Sequence, residues 1–228
     1  MRKRHGTDPG SALPSQQVQE DSMASRRVHA YIGLGANVGD AAGTLAGAVR
    51  ALAAMPGARL KAVSPLYRTR PVGVSDQPDF LNGVVGLEVS PGPDPETGAL
   101  ALLIALKQIE RAFGRRQRER WGPRELDLDL LLFGPHRIKA ERPAAGLSDD
   151  ADRDTTQLLE VPHPAAAERL FVLAPLADLA PGLVPPGWPE AVSTARLRQE
   201  RHEGPAAVLL VGEWDPHARS WTLTGGGS

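Results

Sequence analysis

The segment Leu126-Asp-Leu-Asp-Leu-Leu-Leu-Phe133 limits the fold more than any other. On a β-strand successive side chains alternate faces, so Asp127 and Asp129 point one way and Leu126, Leu128 and Leu130 the other, into a core. Aspartate is a poor strand former, and two in one short strand need a reason. Carboxylates sharing a face repel each other, and burying them is costly without a cation beside them. Two explanations fit. The strand lies at a wet edge where Asp is merely solvated, or the pair holds Mg²⁺, which takes few protein carboxylates and lets phosphate oxygens complete its octahedron.

Around this segment, local signals predict a series of strands and helices. Val28 to Leu34 reads as a strand, and Asp40 as the N-cap of a helix from Ala41 to Met55, closed by Pro56-Gly57. Leu60 to Tyr67 and Phe80 to Val89 read as strands, separated by a loop carrying Pro71, Gly73 and Pro78. Asp94-Pro95 opens a helix that runs to about Phe113, with Pro at the first helical position. Glu168 to Leu179 is a further helix, and Val208 to Trp214 a late strand. Two strand–helix–strand segments in series, with too few βα units for a doubly wound sheet, predict an α+β class. The expected form is a ferredoxin-like sandwich, a mainly antiparallel four-stranded sheet with helices on one face.

The polar residues 1–27 read as a disordered leader, in which Met23 offers a second start. Residues 28–190 form the expected domain, with 134–160 as a surface insertion. Residues 191–228 are a C-terminal extension of undetermined structure.

Composition removes several function classes. A net charge of −1 and a pI near 6.6 supply no basic field for nucleic acid. There is no cysteine, so disulfides and thiolate metal sites are excluded. No apolar run reaches the roughly 18 residues of a membrane span, and the N-terminal 27 residues lack the apolar stretch of a secretory signal. The expectation is a cytoplasmic monomer acting on small molecules.

Six of the 22 arginines lie between Arg111 and Arg124. Their guanidinium forks suit phosphate oxygens, and arginines beside paired carboxylates are the equipment of phosphoryl transfer. There is no GxxxxGK[ST] loop, so a nucleotide must be held another way. Gly33-Leu-Gly-Ala-Asn-Val-Gly39 lacks dinucleotide-fingerprint spacing and reads as a tight strand-to-helix turn. A magnesium-dependent nuclease or nucleotidyltransferase is the alternative that these residues leave open.

Four blocks in order resemble the 6-hydroxymethyl-7,8-dihydropterin pyrophosphokinase family. They are Tyr31-Ile-Gly-Leu-Gly-Ala-Asn-Val-Gly-Asp40; Ser64-Pro-Leu-Tyr-Arg-Thr69 through Asp76-Gln-Pro-Asp-Phe-Leu-Asn82; Arg120-Trp-Gly-Pro-Arg-Glu-Leu-Asp-Leu-Asp129; and Val161-Pro-His-Pro164 through Leu176. The resemblance implies transfer of diphosphate from ATP to the pterin hydroxymethyl group, with AMP as the other product, in folate biosynthesis. It implies two Mg²⁺ ions on Asp127 and Asp129, with Arg115, Arg120 and Arg124 completing the catalytic set. Glu110, Arg116, Leu130, His163 and Arg169 are implied to contact ATP. Thr69, Val72, Phe80, Asn82, Trp121 and Phe171 are implied to hold the pterin, Trp121 from a mobile loop. A flat heteroaromatic ring calls for aromatic walls, and an Asn amide suits its donor–acceptor edge. The chain departs from the family at Arg70, where proline is usual, and at Leu158, Glu160 and Ala165–Ala167, on the adenosine side.

Overall fold

The computed structural model describes residues 27–71, 77–114, 123–146 and 158–224. Strand β1 (Val28–Ala36) runs into helix α1 (Ala41–Ala53), whose N-cap Asp40 accepts the Gly43 N–H through its side chain at 2.9 Å. Strands β2 (Arg59–Val63), β3 (Leu66–Thr69) and β4 (Phe80–Val89) follow. Helix α2 (Pro95–Ala112) starts at Asp94, whose carboxylate takes the Thr97 N–H at 2.8 Å and the Thr97 hydroxyl at 2.7 Å. Those bonds favour the charged form and hold the Asp94 carboxyl below its usual pKa. Strand β5 (Asp127–Phe133) is followed by the hairpin β6 (Ile138–Glu141) and β7 (Leu158–Val161). Helices α3 (Leu170–Leu179) and α4 (Val192–Glu203) precede a last hairpin, β8 (Val208–Asp215) and β9 (Ser220–Leu223).

The main sheet has the order β5-β1-β4-β3-β8-β9, with β2 also pairing β4, and its strand pairs are antiparallel. Its first part, βαββαβ with β5 and β4 flanking β1, is the expected ferredoxin-like α+β arrangement. The sheet is larger than four strands, however: seven are present among the described residues. The predicted strand from Leu60 to Tyr67 splits at Ser64-Pro65. There Ser64 pairs with Val84 through its backbone and its hydroxyl, and Pro65 lacks the N–H to continue a ladder.

Helices cover both faces rather than one. Ala30, Ile32, Leu34 and Ala36 of β1 join the core under α1 and α2. Val84, Leu131 and Leu132 meet Val172, Leu173 and Leu176 of α3 and Val192 and Ala195 of α4 in a second core. Helix α3 is apolar except for Asp178, as suits a helix enclosed between a sheet and another helix.

Two further segments join the fold. The margins of the expected surface insertion are the β6–β7 hairpin, and Ile138, Ala140, Leu159 and Val161 are buried in the main core. The C-terminal extension is part of the sheet, since β8 pairs with β3 and Trp221 of β9 is core. The leader, Asp149 to Thr156, and most of the arginine-rich loop lie outside the described residues.

Candidate functional site

The geometry of the site follows from one row of alternation. In β1, Tyr31, Gly33 and Gly35 face the α3 layer, opposite to the buried Ile32 and Leu34. Register places Gly35 between Asp127 of β5 and Asn82 of β4, and Gly33 between Asp129 and Val84. Both carboxylates therefore look across the stretch Gly33 to Gly35 of β1, which has no side chain on that face. The result is a narrow cleft of about 40 Å³, floored by Gly33 and Gly35 and bounded by Asn82, Asp127, Asp129 and Phe171.

The glycines were missed as site residues when read as a turn. Only Gly39, at φ +62°, sits in that turn with a left-handed backbone. Gly33 and Gly35 are strand residues whose use is the space they leave. A Cβ on Gly35 would stand 3.3 Å from Asn82 Oδ1. Their period-two spacing, in phase with Asp127 and Asp129 on the neighbouring strand, was the available signal.

On one side of the cleft, Asn82 Nδ2 donates to Thr69 Oγ1 at 2.9 Å, and both residues are buried. The pairing Thr69–Phe80 in the β3–β4 ladder puts Phe80 on the same face. Phe171, in the first turn of α3, roofs the cleft. The guanidinium of Arg169 stands 5.7 Å from its ring centroid, a cation–π contact. Helix α3 has no capping side chain of its own; Glu203 of α4 accepts the Leu170 N–H at 3.1 Å and fixes that end.

On the other side, Arg124 Nη1 donates to Asp127 Oδ2. This ion pair offsets part of the repulsion between the two half-buried carboxylates. His163 follows β7 and docks on β5, its N–H donating to the Leu131 carbonyl at 2.9 Å. Burial lowers the His163 pKa most; the Asp129 carboxylate opposes that shift, Arg169 and Arg142 reinforce it, and Asp127 opposes it more weakly. A wider cleft of about 440 Å³ opens beyond His163, lined by Arg137, Lys139, Glu160 and Trp188. Glu160, one of the positions where the sequence departs from the family it resembles, pairs with Lys139 across the hairpin at 2.9 Å.

Two of the residues implied to contact ATP have side chains held within the fold. The Leu130 side chain is buried in the core under α1 and α2. Glu110 is 1% exposed, and its Oε1 accepts both the Leu128 N–H at 2.7 Å and Lys107 Nζ at 2.8 Å. Lys107 Nζ also donates to the Leu128 carbonyl at 3.2 Å. The pair closes the free edge of β5 between the two aspartates, a use of buried charge that satisfies an exposed strand edge. Val72, Arg115, Arg116, Arg120 and Trp121 lie outside the described residues.

The donor set fits a magnesium ion: two hard carboxylates on one face of the cleft, a set that leaves its remaining coordination positions to oxygens from outside the protein. Among the described residues no group of three or more His, Asp or Glu side chains offers an all-protein cage.

Comparison with known proteins gives a consistent result. Residues 31–181 match the family described as 7,8-dihydro-6-hydroxymethylpterin-pyrophosphokinase. The 2-amino-4-hydroxy-6-hydroxymethyldihydropteridine pyrophosphokinase of Methylorubrum extorquens is 42% identical over 74% of this chain and 92% of its own length. The enzyme of that name from Pseudomonas aeruginosa is 42% identical over 67% of this chain and 81% of its own. Among solved structures, wild-type HPPK-DHPS of Plasmodium falciparum has a TM-score of 0.64 at 13% identity, covering 88% of this chain. The chain spans about half of that structure, 51% of its length, and the likeness concerns the fold alone.

Proposed function

The chain belongs to the 7,8-dihydro-6-hydroxymethylpterin-pyrophosphokinase family, and we propose that the cleft over Gly33 and Gly35 is where its reaction takes place. The protein is a transferase of folate biosynthesis that places a diphosphate group on hydroxymethyldihydropterin, with ATP as co-substrate. The observation that carries the site reading is the row Asp127–Gly35–Asn82 across three strands, which sets a carboxylate for metal and an amide for the pterin on either side of an open floor.

The pterin slides between that floor and Phe171. Asn82 spends one amide hydrogen on Thr69, which leaves its Oδ1 and second N–H for the donor–acceptor edge of the heterocycle. Phe171 and Phe80 supply apolar walls, and Val72 and Trp121 complete the pocket. Asp127 and Asp129 hold two Mg²⁺ ions, which supply charge neutralisation and alignment of the ATP phosphates. The hydroxymethyl oxygen attacks the β-phosphorus, the bond to the α-phosphate oxygen breaks, AMP departs, and the hydroxyl proton passes to solvent. Arg124 stands beside the reacting groups through Asp127. Arg115, Arg116, Arg120, His163 and Arg169 are the groups for the polyphosphate, and their bonds to it are charge-assisted. Glu110 supports the strand from beneath rather than touching nucleotide.

A single chain carries every residue this reading needs, and a monomer is the proposed form. The near-neutral charge suits small substrates in the cytoplasm. Among the described residues no helix is long and apolar enough to cross a membrane. The test is incubation with ATP, Mg²⁺ and 6-hydroxymethyl-7,8-dihydropterin. AMP is the expected nucleotide product, and Asp127→Ala and Asp129→Ala each lose most turnover while remaining folded. ADP as the main product, or full turnover in both variants, overturns the reading.

A further inference from the structure

Asn37 stands at the end of the floor strand β1 and is 3% exposed. Its Nδ2 donates to Gln77 Oε1 at 3.1 Å and to the Pro78 carbonyl at 3.0 Å. Its Oδ1 accepts the Arg124 N–H at 2.8 Å, and its own N–H donates to the Arg124 carbonyl at 3.0 Å. One side chain thus bonds two segments, 40 and 87 residues away in sequence, that approach the cleft from opposite flanks. Pro78 leads directly to Phe80 and Asn82, on the pterin side. Arg124 leads to Asp127, on the metal side.

We propose that Asn37 is a positioning residue that sets the spacing between these two flanks and thereby the affinity of the cleft for the pterin. An amide offers two donor hydrogens on one atom and an acceptor on the other. No other side chain of this size can bond two carbonyl-type oxygens on one flank and an N–H on the other. The β1 ladders end at Ala36–Leu81 on one side and Gly35–Asp127 on the other, so beyond them it is Asn37 that ties the two flanks together at the mouth of the cleft. The inference rests on the pterin-site reading above, and its test separates the two.

Asn37→Asp keeps an oxygen for the Arg124 N–H but turns a second oxygen toward the Gln77 and Pro78 oxygens, so only the pterin flank is released. Asn37→Ala releases both. The measurement is steady-state kinetics with each substrate varied in turn, beside the thermal midpoint of each variant. For Asn37→Asp the pterin KM rises roughly three- to ten-fold, the factor that one or two net hydrogen bonds supply, and the ATP KM stays within about two-fold. For Asn37→Ala, kcat falls as well, because Arg124 loses its anchor. Gln77→Ala, which removes a partly exposed partner and leaves the fold intact, raises the pterin KM in the same direction by a smaller factor. Equal rises of both KM values in Asn37→Asp, or unchanged pterin KM in Asn37→Asp or Gln77→Ala, overturn the assignment while leaving the activity standing. Absence of AMP formation by the parent protein overturns the function reading and this one together.

Discussion

At the residue scale, the cleft depends on what is missing from β1. Asp127 and Asn82 are separated by a strand position that any larger residue would fill, and an added methyl at Gly35 would press on Asn82 Oδ1 at 3.3 Å. Gly33 is less critical, because its added Cβ would meet only the Leu131 side chain, at ordinary contact distances from 3.4 Å. Gly35→Ala is therefore expected to cost the pterin site its flatness. Titration calorimetry should show pterin affinity falling by about ten-fold or more, on the order of 1–3 kcal/mol for overpacking a formed site, while ATP affinity changes little. Gly33→Ala serves as the comparison and should do less. Equal effects of the two would show that the cleft floor is not where the ring lies. The paired aspartates were legible in the sequence because alternation within one strand needs no partner. The glycines were not, since their role appears only once β1 is aligned with β5.

At the element scale, α2 does two jobs. Its apolar stripe, Leu102, Leu103 and Leu106, is core, and its last turns carry Lys107 and Glu110 under β5. A strand edge that lacked partners at Leu128 would leave an N–H and a carbonyl buried without a bond. The Lys107–Glu110 pair supplies both bonds, and it also holds the backbone between Asp127 and Asp129. Removing one member of a buried pair strands the other, at roughly 3–5 kcal/mol. Glu110→Ala should therefore lower the thermal midpoint by several degrees, whereas Glu110→Gln, which keeps an oxygen for Leu128, should lower it less. With either variant folded, ATP affinity measured by calorimetry should move far less than stability does. A large affinity loss in a thermally unchanged Glu110→Gln protein would restore the direct nucleotide contact that the resemblance implied. Helices α1 and α2 were legible from their N-caps, and α3 was expected from Glu168 to Leu179, within two residues of its observed start. Helix α4 was not, because its buried stripe is only Val192, Ala195 and Gln199 among charged neighbours. Its place comes from Glu203 capping α3 and from Arg196 reaching Asp178, contacts that tertiary structure alone creates.

At the scale of the whole molecule, the family match ends at residue 181, yet the fold does not. Strand β8 continues the sheet beyond β3, and β9 carries Trp221, 7% exposed, into the core beneath α1. The Trp221 indole N–H donates to the Ser64 carbonyl at 2.9 Å, at the break between β2 and β3. The Ser64 hydroxyl in turn accepts the Val84 N–H at 2.9 Å, so the hairpin secures the point where the sheet changes from β2 to β3. Trp214 packs edge-on against Trp221, with ring centroids 4.7 Å apart. The sequence showed a strand near Val208 but not its partner: Ser220 to Leu223 is short, and only Trp221 in it is buried. Trp221→Ala removes a large ring from the core and should cost about 3–5 kcal/mol, which for a domain of this size is on the order of 10 °C in thermal midpoint. Trp221→Phe keeps an aromatic ring but leaves the Ser64 carbonyl without its donor, and should cost roughly 1–3 kcal/mol. Because Thr69 lies on the strand that β8 flanks, both variants are expected to weaken pterin binding in proportion to their loss of stability. Differential scanning calorimetry of the two variants beside a chain ending at Gly204 settles the role of the hairpin. A truncated protein that unfolds cooperatively at the parent temperature would mean that the last two strands decorate the fold rather than complete it.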